Sequence, residues 1–354
     1  MRQRSVFICH DYMLVEILDE IEHLLRAQGI EVVRGPVTSP GAKLVYPRER
    51  YAELFGRAEV MSFSSRSVCP REVLLAAPRL RGIVNPTIGM ETVDIDACNE
   101  LGIILGHGAT PQNFLSMAEA TVMLMLMLLY QPGATEEVLR GKRPRPKPTP
   151  TDPWARMMLG RTIGLVGLGR IARGVVDRLS GFGVRILAFD PFVAAQEVPP
   201  NVTLAGLDGL LKESDVVSLH VSITPSSRAM ISERELALMK PGAFLINTSR
   251  GEAIDEGALY RALRDKRIGG AALDNFVVEP LPQDSPLRQL DNVILTPHMI
   301  GHTQDVFASF PPAAVENITR ILRGEPPLHC KNPETIPAWR KRLAALDEAQ
   351  GGAF

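Results

Sequence analysis

The sequence predicts an α/β protein in which a doubly wound parallel sheet fills the middle of the chain and a smaller α/β domain accompanies it. Three observations carry that expectation. Short apolar runs alternate regularly with helical segments between residues 162 and 296, a weaker alternation of the same kind starts near residue 5, and a glycine-rich turn follows the first apolar run of the middle region. At 354 residues and 45% hydrophobic content, the chain exceeds what a single core usually organises, so two domains are expected.

Taken in order, a strand at 6–9, an amphipathic helix at 14–28 and a strand at 30–33 after Gly29 make a β-α-β beginning. The pattern continues through 58–63, 70–77 and 80–85. Residues 120–130 form the most apolar segment, shorter than the roughly 20 residues a bilayer span needs. Residues 121–129 are apolar on every side, so a helix there requires cover all round, from its own core or from a second subunit. Between 131 and 154 the periodicity stops, and Pro144, Pro146, Pro148, Pro150 and Pro153 predict an extended loop. That loop carries Arg140, Lys142, Arg143, Arg145 and Lys147 without interleaved aromatics, which reads as a solvated loop rather than a nucleic-acid patch.

The middle region predicts strands at 162–166, 185–189, 216–220, 243–247, 270–274 and 293–296. A capping box, Ser232 with Glu235 three residues on, opens one of the intervening helices, and Pro241-Gly242 stops it. Near-continuous apolar strands separated by helices imply a parallel sheet covered on both faces. A last amphipathic helix at 313–322 precedes Gly324 and a proline-broken tail.

Composition restricts the partner. Lys and Arg total 39 against 40 Asp and Glu, a net charge of −1, so no overall field exists to hold nucleic acid or an anionic membrane. A small-molecule partner is expected. Cys9, Cys69, Cys98 and Cys330 show no C-x-x-C spacing, which predicts neither a metal knuckle nor a redox pair and suits a reducing cytoplasm. Residues 1–9 lack the long apolar stretch and cleavage site of a signal peptide.

The strand at 162–166 runs into Gly167-Leu168-Gly169-Arg170-Ile171-Ala172 and then a helix. Gly167 permits a tight turn, Gly169 lets backbone approach a pyrophosphate, and Ala172 allows close packing of helix on strand. The helix N-terminus offers N–H groups and positive dipole to phosphates. The next strand ends in Asp190, 21 residues after Gly169, the spacing of a carboxylate that binds the adenosine ribose. Only Pro191-Phe192-Val193 follows, with no cation to receive a 2′-phosphate, so this Rossmann-type unit is expected to take NAD rather than NADP.

Arg250, Glu279 and His298 lie near the C-terminal ends of predicted strands, where open parallel sheets bind ligands. Singly, they read as a surface charge, a solvated carboxylate and a turn histidine. Together they meet the needs of a 2-keto acid reduction: a bidentate cation for the carboxylate, a proton donor for the carbonyl, and a carboxylate that favours the donor's charged form.

Three longer runs surround them: N-T-S-R-G-E-A-I-D-E-G-A-L from Asn247, A-A-L-D-N-F-V-V-E-P-L from Ala271, and N-V-I-L-T-P-H-M-I-G-H-T from Asn292. In these the chain resembles the D-isomer-specific 2-hydroxyacid dehydrogenase family. The runs S-F-S-S-R-S-V around Arg66, I-G-M-E-T-V-D-I-D-A from Ile88 and N-F-L-S-M-A-E from Asn113 look like that family's substrate loops and crossover helix. The resemblance implies that Arg250 orients the substrate carboxylate, His298 is the acid or base, and Glu279 pairs with it. It places Asp274 near the nicotinamide carboxamide, backbone at Arg170 and Ile171 on the pyrophosphate, and His220, Thr248 and Gly301 on the cofactor as well. On the substrate side it adds Ser65, Arg66, Ser67, Gly89 and Met90 to Arg250 and His298.

It further implies a flavodoxin-like substrate domain from 1–111 and 303–334, an NAD-binding domain from 112–302, and a tail at 335–354. A cleft that closes over substrate and a homodimer joined through the cofactor domain are expected. Departures are few: Ala172 replaces the usual third glycine, Ser222 stands where His-x-Pro is common, and Asn275 replaces the usual valine after Asp274. Glu279 argues against formate dehydrogenases, in which a glutamine partners the histidine. A short-form D-3-phosphoglycerate dehydrogenase is a rival within the chemistry. A dehydrogenase-like corepressor that binds NAD(H) and recruits peptides is a rival outside it.

Overall fold

The computed structural model describes residues 4–37, 43–147 and 155–351. It begins with β1 (Ser5–Ile8), α1 (Val15–Ala27), β2 (Glu31–Arg34), α2 (Tyr51–Phe55), β3 (Val60–Ser62), α3 (Arg71–Leu75), β4 (Gly82–Asn85), α4 (Ile95–Leu101) and β5 (Ile104–His107). Then come α5 (Pro111–Tyr130), α6 (Pro132–Leu139), β6 (Thr162–Val166), α7 (Arg170–Leu179), β7 (Arg185–Phe189), β8 (Val202–Leu204), α8 (Leu207–Glu213) and β9 (Val216–Leu219). The remainder is α9 (Glu233–Leu238), β10 (Phe244–Asn247), α10 (Glu256–Arg264), β11 (Gly270–Leu273), β12 (Val293–Leu295), α11 (Gln304–Arg323) and α12 (Ile336–Gly351).

Two compact units result. One takes in the chain up to Gln112 and again from Thr303, and the other runs from Asn113 to His302. The first holds a parallel sheet in the order β2-β1-β3-β4-β5, a flavodoxin-like arrangement. The second holds a parallel sheet in the order β12-β11-β10-β9-β6-β7-β8, a doubly wound Rossmann-type arrangement whose strand order reverses between β6 and β9. Both sheets are the class that the apolar strand runs predicted.

Four expectations need correction. The apolar segment at 120–130 is part of a 20-residue helix, α5, long and apolar enough to cross a bilayer by length and composition. Half of its most apolar stretch is buried inside the protein, and Ala118 packs so closely that a Cβ on Gly174 of α7 would lie 3.0 Å away. The extended loop at 131–154 opens with α6, because Pro132 sits at the first helical position, where its missing N–H does no harm. Pro148, Pro150 and Pro153 lie outside the described residues.

The last helix begins at Gln304, not 313. Thr303 caps it by accepting the Val306 N–H, and Pro311 and Pro312 are accommodated inside. The tail at 335–354 is α12 through residue 351, packed on the first unit. Trp339 is fully buried and its indole N–H donates to the Arg81 carbonyl at 2.8 Å, while Arg81 pairs with Asp347 at 2.6 Å.

Candidate active site

The cofactor cradle stands at the strand-order switch of the second unit. β6 leads into Gly167 at φ 93°, where a Cβ would also come within 2.6 Å of the His220 carbonyl oxygen, so only glycine serves. At Gly169, which caps α7, an added Cβ would meet nothing within 4 Å. That open approach to a ten-residue helix's N-terminus suits a pyrophosphate. Ala172 is fully buried, and the Arg170 guanidinium lies 5.0 Å over the Phe114 ring.

Asp190 does more than wait for a ribose. Its carboxylate accepts the Leu168 N–H at 2.8 Å and the Phe192 N–H at 2.9 Å, which ties the glycine turn to the end of β7. A carboxylate offers about four lone-pair sites, so ribose hydroxyls fit beside these two donors. His220, after β9, has its Nε2 3.0 Å from the Ser218 hydroxyl, and burial pushes its pKa down to about 4, so the ring is neutral near pH 7. Thr248 and Gly301 both engage α5: the Thr248 and Thr121 hydroxyls are 3.2 Å apart, and the Gly301 carbonyl accepts the Ser116 hydroxyl at 2.8 Å.

The three ionisable residues occupy neighbouring loops at the same edge of the sheet. Asn247 ends β10 by folding its amide back. Its Oδ1 accepts the Ser249 N–H at 3.0 Å and its Nδ2 donates to the Arg250 carbonyl at 2.8 Å, which fixes the Arg250 backbone. Next to it, a Cβ on Gly251 would lie 2.0 Å from the Phe276 carbonyl carbon, so the Arg250 loop presses directly on the loop after β11. There the Phe276 N–H donates to Glu279 Oε1 at 3.0 Å, and Glu279 Oε2 accepts from His298 Nδ1 at 2.8 Å. A carboxylate only accepts, so Nδ1 carries the proton and Nε2 is the nitrogen left for chemistry. Burial raises the Glu279 carboxyl, but the His298 hydrogen bond, the His298 charge, the Phe276 N–H and the Arg250 charge together hold it below its usual value.

His298 has φ 56°, a left-handed conformation rare outside glycine. Asp274 holds it there. Its Oδ1 accepts the Thr296 hydroxyl at 2.7 Å, the Met299 N–H at 3.0 Å and the Ile300 N–H at 3.2 Å, so one buried carboxylate clasps the turn on both sides of the histidine. Burial raises the Asp274 pKa against these bonds.

The expected substrate residues lie in the first unit, after β3 and β4. Ser67 is fully buried with its hydroxyl donating to the His10 carbonyl at 3.3 Å, and Met90 is 3% exposed, so neither offers a side chain on the surface. Ser65, Arg66 and Gly89 are half-buried. One supporting residue was missed: Asp11, just beyond β1, is buried, accepts the Met13 N–H at 2.9 Å and lies 3.4 Å from the Arg66 guanidinium. The Tyr12 ring is 5.4 Å beneath that guanidinium. The signal was an acid directly after an apolar strand.

A phosphate-ready turn and a histidine whose proton is managed by a carboxylate share one edge of one sheet, and hydride chemistry at an oxygen-bearing carbon needs both. That pairing defines a dinucleotide-dependent oxidoreductase. Comparison with known proteins gives the family: the model for the D-isomer specific 2-hydroxyacid dehydrogenase NAD binding domain matches residues 104–300, and the chain belongs to that family. Its cofactor is NAD.

A D-3-phosphoglycerate dehydrogenase of Methanocaldococcus jannaschii is 36% identical over 82% of this chain, which spans only 55% of that protein. An (S)-sulfolactate dehydrogenase of Chromohalobacter salexigens is 35% identical over 88% of this chain and 98% of its own length. Among solved structures, a glyoxylate reductase from Paecilomyes thermophila superposes with a TM-score of 0.79 at 25% identity, covering 94% of this chain and 99% of that one.

Proposed function

We propose that this protein moves a hydride between NAD(H) and C2 of a small D-2-hydroxy acid or its 2-keto partner. The 2.8 Å contact between His298 and Glu279 carries the reading, because it leaves one imidazole nitrogen for the substrate and a carboxylate to steady the charged ring. NADH, when bound, supplies the hydride. Arg250 holds the substrate carboxylate through its guanidinium fork. His298 gives its Nε2 proton to the carbonyl oxygen, and Glu279 keeps the ring oriented and the imidazolium stabilised until it does. In the oxidative direction the same nitrogen takes the hydroxyl proton.

In this reading Gly167, Gly169, Arg170 and Ile171 cradle the pyrophosphate, Asp190 binds the ribose, and His220, Thr248, Asp274 and Gly301 complete the cofactor contacts. Ser65, Arg66, Ser67, Gly89 and Met90 serve the substrate, the two buried ones through backbone. We also assign a homodimer joined through the cofactor domain, which would cover the exposed Met123 and Tyr130 of α5, and a cytoplasmic setting. The relatives reported above bear the names of enzymes, which favours catalysis over a corepressor role.

The test is NADH oxidation with glyoxylate, hydroxypyruvate, phosphohydroxypyruvate and pyruvate. Turnover of at least one, abolished by His298→Ala, is expected. NADH binding without turnover of any 2-keto acid would overturn the catalytic reading.

A further inference from the structure

The proton relay depends on a carboxylate carried by a loop, and the loop must itself be held. Glu279 meets His298 through Oε2 while its Oε1 is fixed by the Phe276 N–H, so the backbone around Phe276 decides where the carboxylate stands. Phe276 and Leu281 are buried and anchor the two ends of that loop. Between them Val277 and Val278 are 50% and 58% exposed, so their side chains do little to hold the middle.

That task falls to the start of α10. Glu256, the first residue of the helix, accepts the Val277 N–H at Oε1 across 2.6 Å. From the turn before α10, Gly251 presses on the same backbone, since a Cβ there would lie 2.4 Å from the Val277 nitrogen. The wall at Gly251 sets how close the loop comes, and Glu256 supplies the pull. Capping does not occupy Glu256, because Asp255 already accepts the Ala258 N–H at 3.0 Å. A hydrogen bond to a charged acceptor is roughly twice as strong as a neutral one, which suits a single tie on an exposed strap. We propose that Glu256 is a positioning residue of the relay: by holding the Val277 N–H, it fixes the turn from which Phe276 directs Glu279 onto His298. The inference rests on the relay proposed above, and it concerns the second unit alone.

The test follows the ring with and without turnover, in the whole chain. Glu256→Ala removes the acceptor, whereas Glu256→Gln loses the charge but keeps an amide oxygen at the same reach. In reduction, Glu256→Ala should lower kcat by about three- to tenfold with NADH binding preserved, and should move the alkaline limb of kcat/KM to lower pH. Glu256→Gln should restore both. Added to Glu279→Gln, Glu256→Ala should move the limb no further, because its effect runs through Glu279. By NMR titration, His298 should lose its proton at lower pH in Glu256→Ala than in the parent or in Glu256→Gln. Arg250, Asp274 and Glu279, the charged groups of the relay, are kept in both variants. Glu256→Asp, one methylene shorter, serves where Glu256→Ala does not fold. An unmoved titration leaves Glu256 as an ordinary first-turn acid and overturns the proposal. Equal shifts in the alanine and glutamine variants also overturn it, since charge alone would then act. So does a further shift in the Glu279→Gln background. A parent that turns over no 2-keto acid sinks the function proposed above, while the NMR titration still decides this inference.

Discussion

His220 and His298 lie in loops at the same edge of one parallel sheet, yet their surroundings give them opposite tasks. His220 has the Ser218 hydroxyl at its Nε2, and burial has pushed it down to about 4. It is a neutral wall of the cofactor cradle, and its carbonyl forbids any side chain at Gly167. His298 keeps 47% of its side chain exposed and has a carboxylate 2.8 Å from Nδ1. One ring is held away from protons and the other is equipped to exchange them. Residue type supplied the chemistry in both cases, while desolvation and a neighbouring charge chose the use.

The largest expected effect separates the two rings directly. His298→Ala should lower kcat for reduction by a factor of about 10² to 10⁴ with NADH binding preserved, whereas His220→Asn should change kcat by less than about tenfold. Stopped-flow and steady-state rates with the best keto acid decide it. Comparable losses would erase the distinction.

Acid stability isolates His220. Its folded value of about 4 lies below the ordinary 6.5, so the unfolded chain binds the extra proton between those limits. Stability is complete above 6.5 and declines as pH falls toward 4, by up to about 3 kcal/mol. Urea unfolding at several pH values should show a shallower decline in His220→Asn than in the parent.

Glu279 tests the other ring. Its carboxyl is held below the usual range, so its negative charge is complete above that range and is lost only as pH falls through the depressed value. Glu279→Gln keeps the hydrogen-bonding shape but removes the charge. The alkaline limb of the kcat/KM profile for reduction should then move to lower pH. An unmoved limb would show that the carboxylate only orients the ring.

The smallest effect concerns the cradle. Asp190→Ala should narrow the preference for NADH over NADPH by about tenfold, because repulsion of a 2′-phosphate disappears. It should also weaken NADH binding, since the Leu168 and Phe192 N–H groups lose their acceptor. Binding titrations with both cofactors measure each part.

How much of this was legible depended on whether the cause was local. Both sheet types and the Gly167–Asp190 unit follow from period and spacing, and the Ser232–Glu235 capping box is present as read, with the Ser232 N–H and hydroxyl on Glu235 at 3.1 and 2.7 Å. β8 buries only Val202 of its three residues and so offers no apolar run to read, and β5 at 104–107 is an addition of the structure to the expected strands. α12 escaped because its burial depends on Trp339 meeting Arg81, 258 residues away in sequence. At the site, the runs identified the relay residues, but not the left-handed φ of His298 or the Asp274 clasp that holds it.

The buried Trp339 also bears on the order in which the chain can fold during synthesis. The core of the first unit joins Val6 and Phe7 to Ile318, Trp339 and Leu343, whereas the second unit is a single uninterrupted stretch from Asn113 to His302. A ribosome delivers that stretch whole while the earlier strands still lack α11 and α12. The second unit can therefore close first, and β1 to β5, packed by then only with α1 to α4, must wait for α11 and α12, which follow about two hundred to three hundred positions later. The exposed interval of this protein's life belongs to its first hundred residues, and chaperone demand should fall there rather than on the larger sheet.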